Sequence, residues 1–125
     1  QLVRLAKEEE GVGISAGAHF AGLKSAMLMQ NHGFLASVNG IVSLAQLYRI
    51  PLLMIISYRG EMGETDPWQT EGGLRTESTL KALDIPYDII DSPESVEKKI
   101  NKAAILSESS ERPVALLITR DLMVE

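Results

Sequence analysis

The run Leu52-Leu53-Met54-Ile55-Ile56, introduced by Pro51, is apolar at every position. Side chains of a β-strand alternate between two faces, so a strand with one solvated face alternates apolar and polar residues. A strand apolar on both faces is buried from both sides, as a central strand of a parallel sheet is when helices cover it. The rest of the chain agrees, alternating short apolar runs with amphipathic or small-residue stretches. Strands are expected at Gln1–Ala6, Ser25–Gln30, Pro51–Ser57, Pro86–Ile90 and Pro113–Thr119. The fold class is therefore α/β, a three-layer parallel sheet with helices on both faces. With 125 residues there is room for one core, and residues 1–125 are read as a single domain. Folds of this kind normally carry a strand and helix before the first strand seen here, so that pair is expected to be missing.

Four helices are expected between the strands. The first, about Glu9 to Leu23, is poor in side-chain bulk: Gly11, Gly13, Ala16, Gly17, Ala18, Ala21 and Gly22. Each helix-interior glycine costs about 0.5–1 kcal/mol relative to alanine, so something must approach this backbone closely. Packing within the chain is one reading, and a cofactor or subunit contact the other. The second helix carries the stripe Phe34, Val38, Ile41, Ala45 and Tyr48. A third covers Leu74 to Leu83. The last begins at Ser92 as cap, Pro93 in the first turn and Glu94 on the dipole, with Val96, Ile100, Ala103 and Ala104 as its stripe. Tyr58 to Gly73 is read as a long loop with four glycines (60, 63, 72 and 73), in which Trp68 and Gln69 are placed to close over a ligand.

Composition removes several function classes. A net charge of −5, with Lys and Arg scattered, is unsuited to a nucleic-acid binder, which needs a basic face. No apolar run is long enough to span a bilayer, and no secretory leader opens the chain. The absence of cysteine removes disulfides and thiolate chemistry and fits a cytoplasmic protein. Phosphate-loop and zinc-pair signatures are missing, and Gly11-Val12-Gly13 with Gly17 is a broken dinucleotide fingerprint. A nucleotide-binding module is accordingly a minor reading.

Two stretches gather polar groups where open α/β sheets bind ligands, at the carboxyl ends of strands. In Lys7-Glu8-Glu9-Glu10-Gly11, carboxylates enter the small-residue helix; complementing the helix dipole is the plainer explanation of them. In Met29-Gln30-Asn31-His32-Gly33, polar side chains and a glycine precede a helix; a local cap by Asn31 or His32 is the plainer reading.

The ordered combination EEEGVGISAGA, LMQN-x-G and PLLMIIS-x-RGE-x-G resembles the alpha subunits of sulfopyruvate decarboxylase and the equivalent half of phosphonopyruvate decarboxylase, from about Gln1 to Tyr87. The resemblance implies the pyrimidine-binding (Pyr-type) fold of thiamine diphosphate enzymes. In these a glutamate lies nine residues before a glycine of a small-residue helix, which carries the cofactor glutamate from Gly17 back to Glu8, with Glu9 as fallback. That carboxyl group hydrogen-bonds the cofactor pyrimidine and promotes deprotonation of the thiazolium.

By the same resemblance, Glu8, Gln30, Asn31 and Gly33 are expected to bind the cofactor, and His32 and Arg59 the substrate. Arg59 offers a guanidinium fork to a sulfonate or phosphonate; an ion pair with Glu61 or Glu64 is its alternative. His32 stands where the family has a small hydroxyl residue, which opens the options of a proton donor or an anion contact. The implied reaction is decarboxylation of 3-sulfopyruvate, a small anionic 2-oxo acid, to sulfoacetaldehyde. The alternatives are phosphonopyruvate as substrate, or a non-catalytic regulatory or scaffolding subunit. No Gly-Asp-Gly occurs in the chain. The resemblance therefore assigns diphosphate and Mg²⁺ to a separate PP-domain beta subunit, with no metal ligands here. An isolated alpha chain is expected to form homo-oligomers.

Overall fold

The computed structural model describes residues 1–123. Its elements are α1 (Glu8–Phe20), β1 (Ala26–Gln30), α2 (Asn31–Ala36), the single turn α3 (Val38–Gly40), a π-helical stretch (Ile41–Gln46), β2 (Leu52–Ser57), α4 (Pro67–Ala82), β3 (Tyr87–Ile90), α5 (Val96–Ser110) and β4 (Pro113–Ile118). The strands form one parallel sheet in the order β1-β2-β4-β3. The expected α/β architecture, a parallel sheet between helical layers, is what the chain adopts.

The apolar run does what its pattern dictates. Leu52, Met54 and Ile56 face one core with Val12, Phe34, Ile41, Ala45 and Leu80. Leu53 and Ile55 face the other, beneath Ile100 and Ala103 of α5. Full burial of such side chains stabilises by about 1.5–3 kcal/mol each, enough to make β2 the anchor of the sheet. Register aligns Gln30 with Ser57, Ser57 with Ile118, and Ile118 with Ile90. The strands' carboxyl ends, and the segments that leave them, therefore share one rim.

Several expectations need correction. Gln1–Ala6 is not a strand: it pairs with no described strand, and only Leu5 tucks in, beside Gly11 and Met27. Tyr48 is 63% exposed. Its predicted stripe assumed a uniform helical pitch, but the winding breaks at Ser37 and widens to π between Ile41 and Gln46, rotating Tyr48 out of line. α4 starts at Pro67, not near Leu74, so Trp68, Gln69 and the glycine pair belong to a helix and the loop ends at Asp66. The Ser92 side chain caps nothing; Ser95 instead bonds back to the Ser92 carbonyl. No described helix is long and apolar enough to cross a membrane.

Candidate functional site

The three consecutive glutamates take three different partners. Glu10 reaches back to the backbone N–H groups of Ala6 and Lys7, at 3.1 and 3.5 Å, and so serves the orphaned donors at the start of α1. Glu9 turns toward α3, accepting from Asn39 Nδ2 at 3.4 Å and lying against Gly40. Glu8 lies on Gly33. A methyl group built there would stand 2.5 Å from Glu8 Cγ and 2.8 Å from Oε1, so the absence of a side chain at 33 makes the seat. The half-buried Glu8 carboxylate makes no hydrogen bond to a described residue. Two sequence stretches singled out separately thus meet in one contact.

The same rim carries the rest of the predicted set. Gln30 ends β1 and is exposed. Asn31 is fully buried and does not cap α2; its Nδ2 donates to the Arg59 carbonyl at 3.2 Å, while its Oδ1 is buried without a partner. A buried amide oxygen left unpaired costs about 1–3 kcal/mol, so it marks a place where a donor belongs. The exposed His32 ring packs on Gly72 of α4, where a methyl group would fall 2.7 Å from Cε1.

Arg59 is engaged within its own loop. Its guanidinium forms a bidentate pair with Glu64, Nε and Nη2 each at 2.8 Å, and a further bond to Asp66 at 2.9 Å. This is the ion-pair alternative rather than an open fork. The Glu64 carboxylate is 2% exposed and also accepts from the backbone of Gly60, Thr65 and Asp66 and from Arg120 Nη1. The Arg59 guanidinium, helped by those backbone N–H groups, holds the Glu64 carboxyl well below the usual carboxylate range, and Glu64 in turn raises Arg59.

Gln69 was read only as a loop residue that closes over a ligand. It sits in the first turn of α4, 7% exposed, with Oε1 buried and unpaired. The clue in the sequence was Asp66-Pro67, a helix start, which takes Gln69 out of the loop. A second polar cluster braces α4 further along. Glu77 accepts from Tyr58 at 3.0 Å and from Tyr87 at 2.6 Å. Burial, then Glu77, pushes the Tyr58 phenol up to about 12, while the Tyr87 hydroxyl draws the Glu77 carboxyl down.

Of the glycines in α1, only Gly11 is required by packing within the chain, against Leu5 and Met27; a side chain at Gly13 or Gly17 would meet nothing. Among the described residues no group of three or more His, Cys, Asp or Glu is arranged to hold a metal ion. A groove of about 580 Å³ beside Leu23, Ala26, Leu53 and Ala104 lies at the opposite, amino-terminal end of the strands and includes no predicted site residue.

No protein-family model matches the chain. It is 42% identical over 118 residues to the sulfopyruvate decarboxylase subunit alpha of Methanococcus maripaludis, an alignment covering 94% of this chain and 71% of that protein. It is 41% identical over 116 residues to the subunit of the same name from Methanothermobacter thermautotrophicus, covering 93% and 70%. A longer protein named sulfopyruvate decarboxylase, from Methanosarcina acetivorans, is 34% identical over 115 residues, covering 92% of this chain and 30% of that one. With relatives of this similarity spanned over more than two thirds of their length, the chain belongs to the family of sulfopyruvate decarboxylase alpha subunits.

Proposed function

We propose that this chain is the pyrimidine-binding half of a thiamine diphosphate-dependent decarboxylase that converts 3-sulfopyruvate to sulfoacetaldehyde and CO₂. The observation that carries the reading is Glu8: a carboxylate seated on Gly33, bonded to no described residue, at the rim where Asn31 holds an unpaired buried oxygen. Those groups fit the aminopyrimidine end of the cofactor, which offers a basic ring nitrogen and an amino donor. When bound, thiamine diphosphate supplies the electron sink that a 2-oxo acid needs to lose CO₂.

The chain's own residues do the rest by holding and excluding. Glu8 holds a proton at the pyrimidine nitrogen, Gly33 keeps that carboxyl in place, and Asn31 offers an acceptor. His32 at the start of α2 and Gln69 at the start of α4 flank the same rim and present polar groups to a small anionic substrate. The Arg59 guanidinium is engaged by Glu64 and Asp66, so His32 is the better candidate for the sulfonate, while the unpaired Gln69 oxygen can only accept from a donor.

The diphosphate and Mg²⁺ are assigned to a PP domain borne by a separate beta subunit, a reading supported by the relatives' names as alpha subunits and by the lack of Gly-Asp-Gly in this segment. The relatives' names call them subunits, and in the Methanosarcina acetivorans protein the matched segment is under a third of a longer chain, which leaves room for a partner domain on the same polypeptide. Met62 and Trp68 at the rim, and Ile14 and Phe20 on the open glycine face of α1, are exposed apolar surface for that partner.

The test is turnover. The full alpha subunit assembled with its Gly-Asp-Gly-bearing partner, thiamine diphosphate and Mg²⁺ should release CO₂ and sulfoacetaldehyde from 3-sulfopyruvate, and faster than it consumes phosphonopyruvate. A verified complex with bound cofactor and no turnover of 3-sulfopyruvate would reject the reading.

A further inference from the structure

Among the described residues, the side chain with the most hydrogen-bond partners lies outside the set proposed to touch cofactor or substrate. Glu64 stands in the loop between β2 and α4, its carboxylate 2% exposed. Burying a carboxylate is costly unless its lone pairs are met, and those of Glu64 are met by Arg59 and by the backbone N–H groups of Gly60, Thr65 and Asp66. The donors come from both sides of Glu64 in sequence, so the carboxylate draws the loop around itself. Arg120, which follows β4, joins the same group through its side chain, and its backbone N–H donates to Glu61 at 3.0 Å.

That loop has two neighbours in the candidate site. The Arg59 carbonyl accepts the Asn31 amide, and the Gly60 backbone touches α4 at Gln69 and Gly73. A methyl group at Gly60 would lie 2.9 Å from Gly73 Cα and closer still to the Gln69 carbonyl oxygen. The peptide fixed by Glu64 is therefore the piece that sets α2 against α4. The two buried amide oxygens without partners, Asn31 Oδ1 and Gln69 Oε1, belong to the two residues it contacts.

We propose that Glu64 is a positioning residue: by clamping Arg59 and Gly60 it orients Asn31 and Gln69 toward the ligand, without touching the ligand itself. The proposal rests on the functional reading above for its catalytic consequence, and on geometry alone for its structural one. Placement matters at this scale, because a displacement of about 1 Å in a positioning group costs on the order of 100-fold in rate. The pair also needs the fork geometry of arginine, which lysine lacks.

The experiment compares wild type, Glu64→Gln, Glu64→Asp and Arg59→Lys in the full alpha subunit assembled with its partner. Two readouts are taken: hydrogen exchange at Gly60, Thr65 and Asp66 together with the NMR signal of the Asn31 side-chain amide, and steady-state kinetics with cofactor affinity. Expected for Glu64→Gln are faster exchange at those backbone amides, a shifted and more labile Asn31 amide, weaker thiamine diphosphate binding, and kcat/KM lower by about 10–100-fold. Glu64→Asp, which keeps the charge but withdraws it, should fall between, and it and Arg59→Lys decide the matter if Glu64→Gln does not fold. A loosened loop with an unmoved Asn31 signal, or with wild-type kcat/KM, would overturn the proposal. If the wild-type complex fails to turn over substrate, the functional reading falls while the Asn31 signal still decides the positioning role.

Discussion

The Glu8 side chain occupies the space in which Gly33 lacks a Cβ, with Glu8 Cγ 2.5 Å from where that atom would be. The start of α1 and the first turn of α2 are thereby joined by a carboxylate that forms no salt bridge with a described residue. Glycine is required here by what lies against it rather than by its backbone angles. Gly33→Ala should leave the fold standing, since a flexible side chain can swing aside. On the proposed reading it should also weaken thiamine diphosphate binding by roughly 100-fold, because Glu8 is the group proposed to meet the cofactor. Titration of cofactor alongside a melting curve checks both halves.

Gly72 and Gly73, neighbours in α4, should respond differently to alanine. At Gly72 the new methyl group meets the exposed His32 ring, which can rotate away, so stability should change little while substrate KM rises. At Gly73 it meets backbone, 2.6 Å from Gly60 Cα and closer to the Arg59 carbonyl oxygen. Backbone cannot yield in that way, and the cost should reach the upper end of about 1–3 kcal/mol for overpacking. Urea unfolding of the two variants should separate them clearly.

Acid should loosen the structure through two carboxylates. Glu64, paired with Arg59, and Glu77, held by Tyr87, both have folded-state pKa values below their ordinary ones. A depressed carboxyl contributes stability that is complete above its unfolded pKa, about 4.3 for glutamate, and is lost as pH falls toward the folded value. Stability measured by urea unfolding should therefore decline as pH drops below about 4.3, and Glu64→Gln should show a shallower decline than wild type.

Alkali should act on the other side of α4. Tyr58 is raised to about 12 by burial and by the Glu77 carboxylate it bonds. Stability from that phenol is complete below its unfolded pKa, about 10, and is lost as pH rises through the folded value. Ultraviolet titration should find a tyrosine ionising well above the ordinary value of about 10, and Tyr58→Phe should remove the latest step.

What was legible in the sequence was legible because it is local. The two apolar faces of Leu52 to Ile56 imposed a central parallel strand, and the stripe Val96, Ile100, Ala103 and Ala104 placed α5 on the sheet. Gln1–Ala6 has strand-like residues, but a strand exists only with a neighbour, and pairing is not written in the segment itself. Tyr48 failed because a π-helical stretch changes the pitch that the stripe assumed. In the site, motif order brought Glu8, Asn31 and Gly33 to one rim. Arg59 is paired by Glu64 folding back within its own loop, an interaction that charge alone could not distinguish from anion binding. Gln69 was obscured by the glycine pair after it, which reads as loop although Asp66-Pro67 starts a helix.

The most direct test of the central claim, a cofactor site divided between this chain and a partner, is calorimetric titration of thiamine diphosphate with Mg²⁺. It should be run on the full alpha subunit alone, on the subunit mixed with its Gly-Asp-Gly-bearing partner, and on the mixture carrying Glu8→Gln. The account predicts binding in the mixture, none in the subunit alone, and loss of most turnover in Glu8→Gln with the complex intact. A verified complex that binds no cofactor, or a Glu8→Gln complex with wild-type turnover, would contradict it.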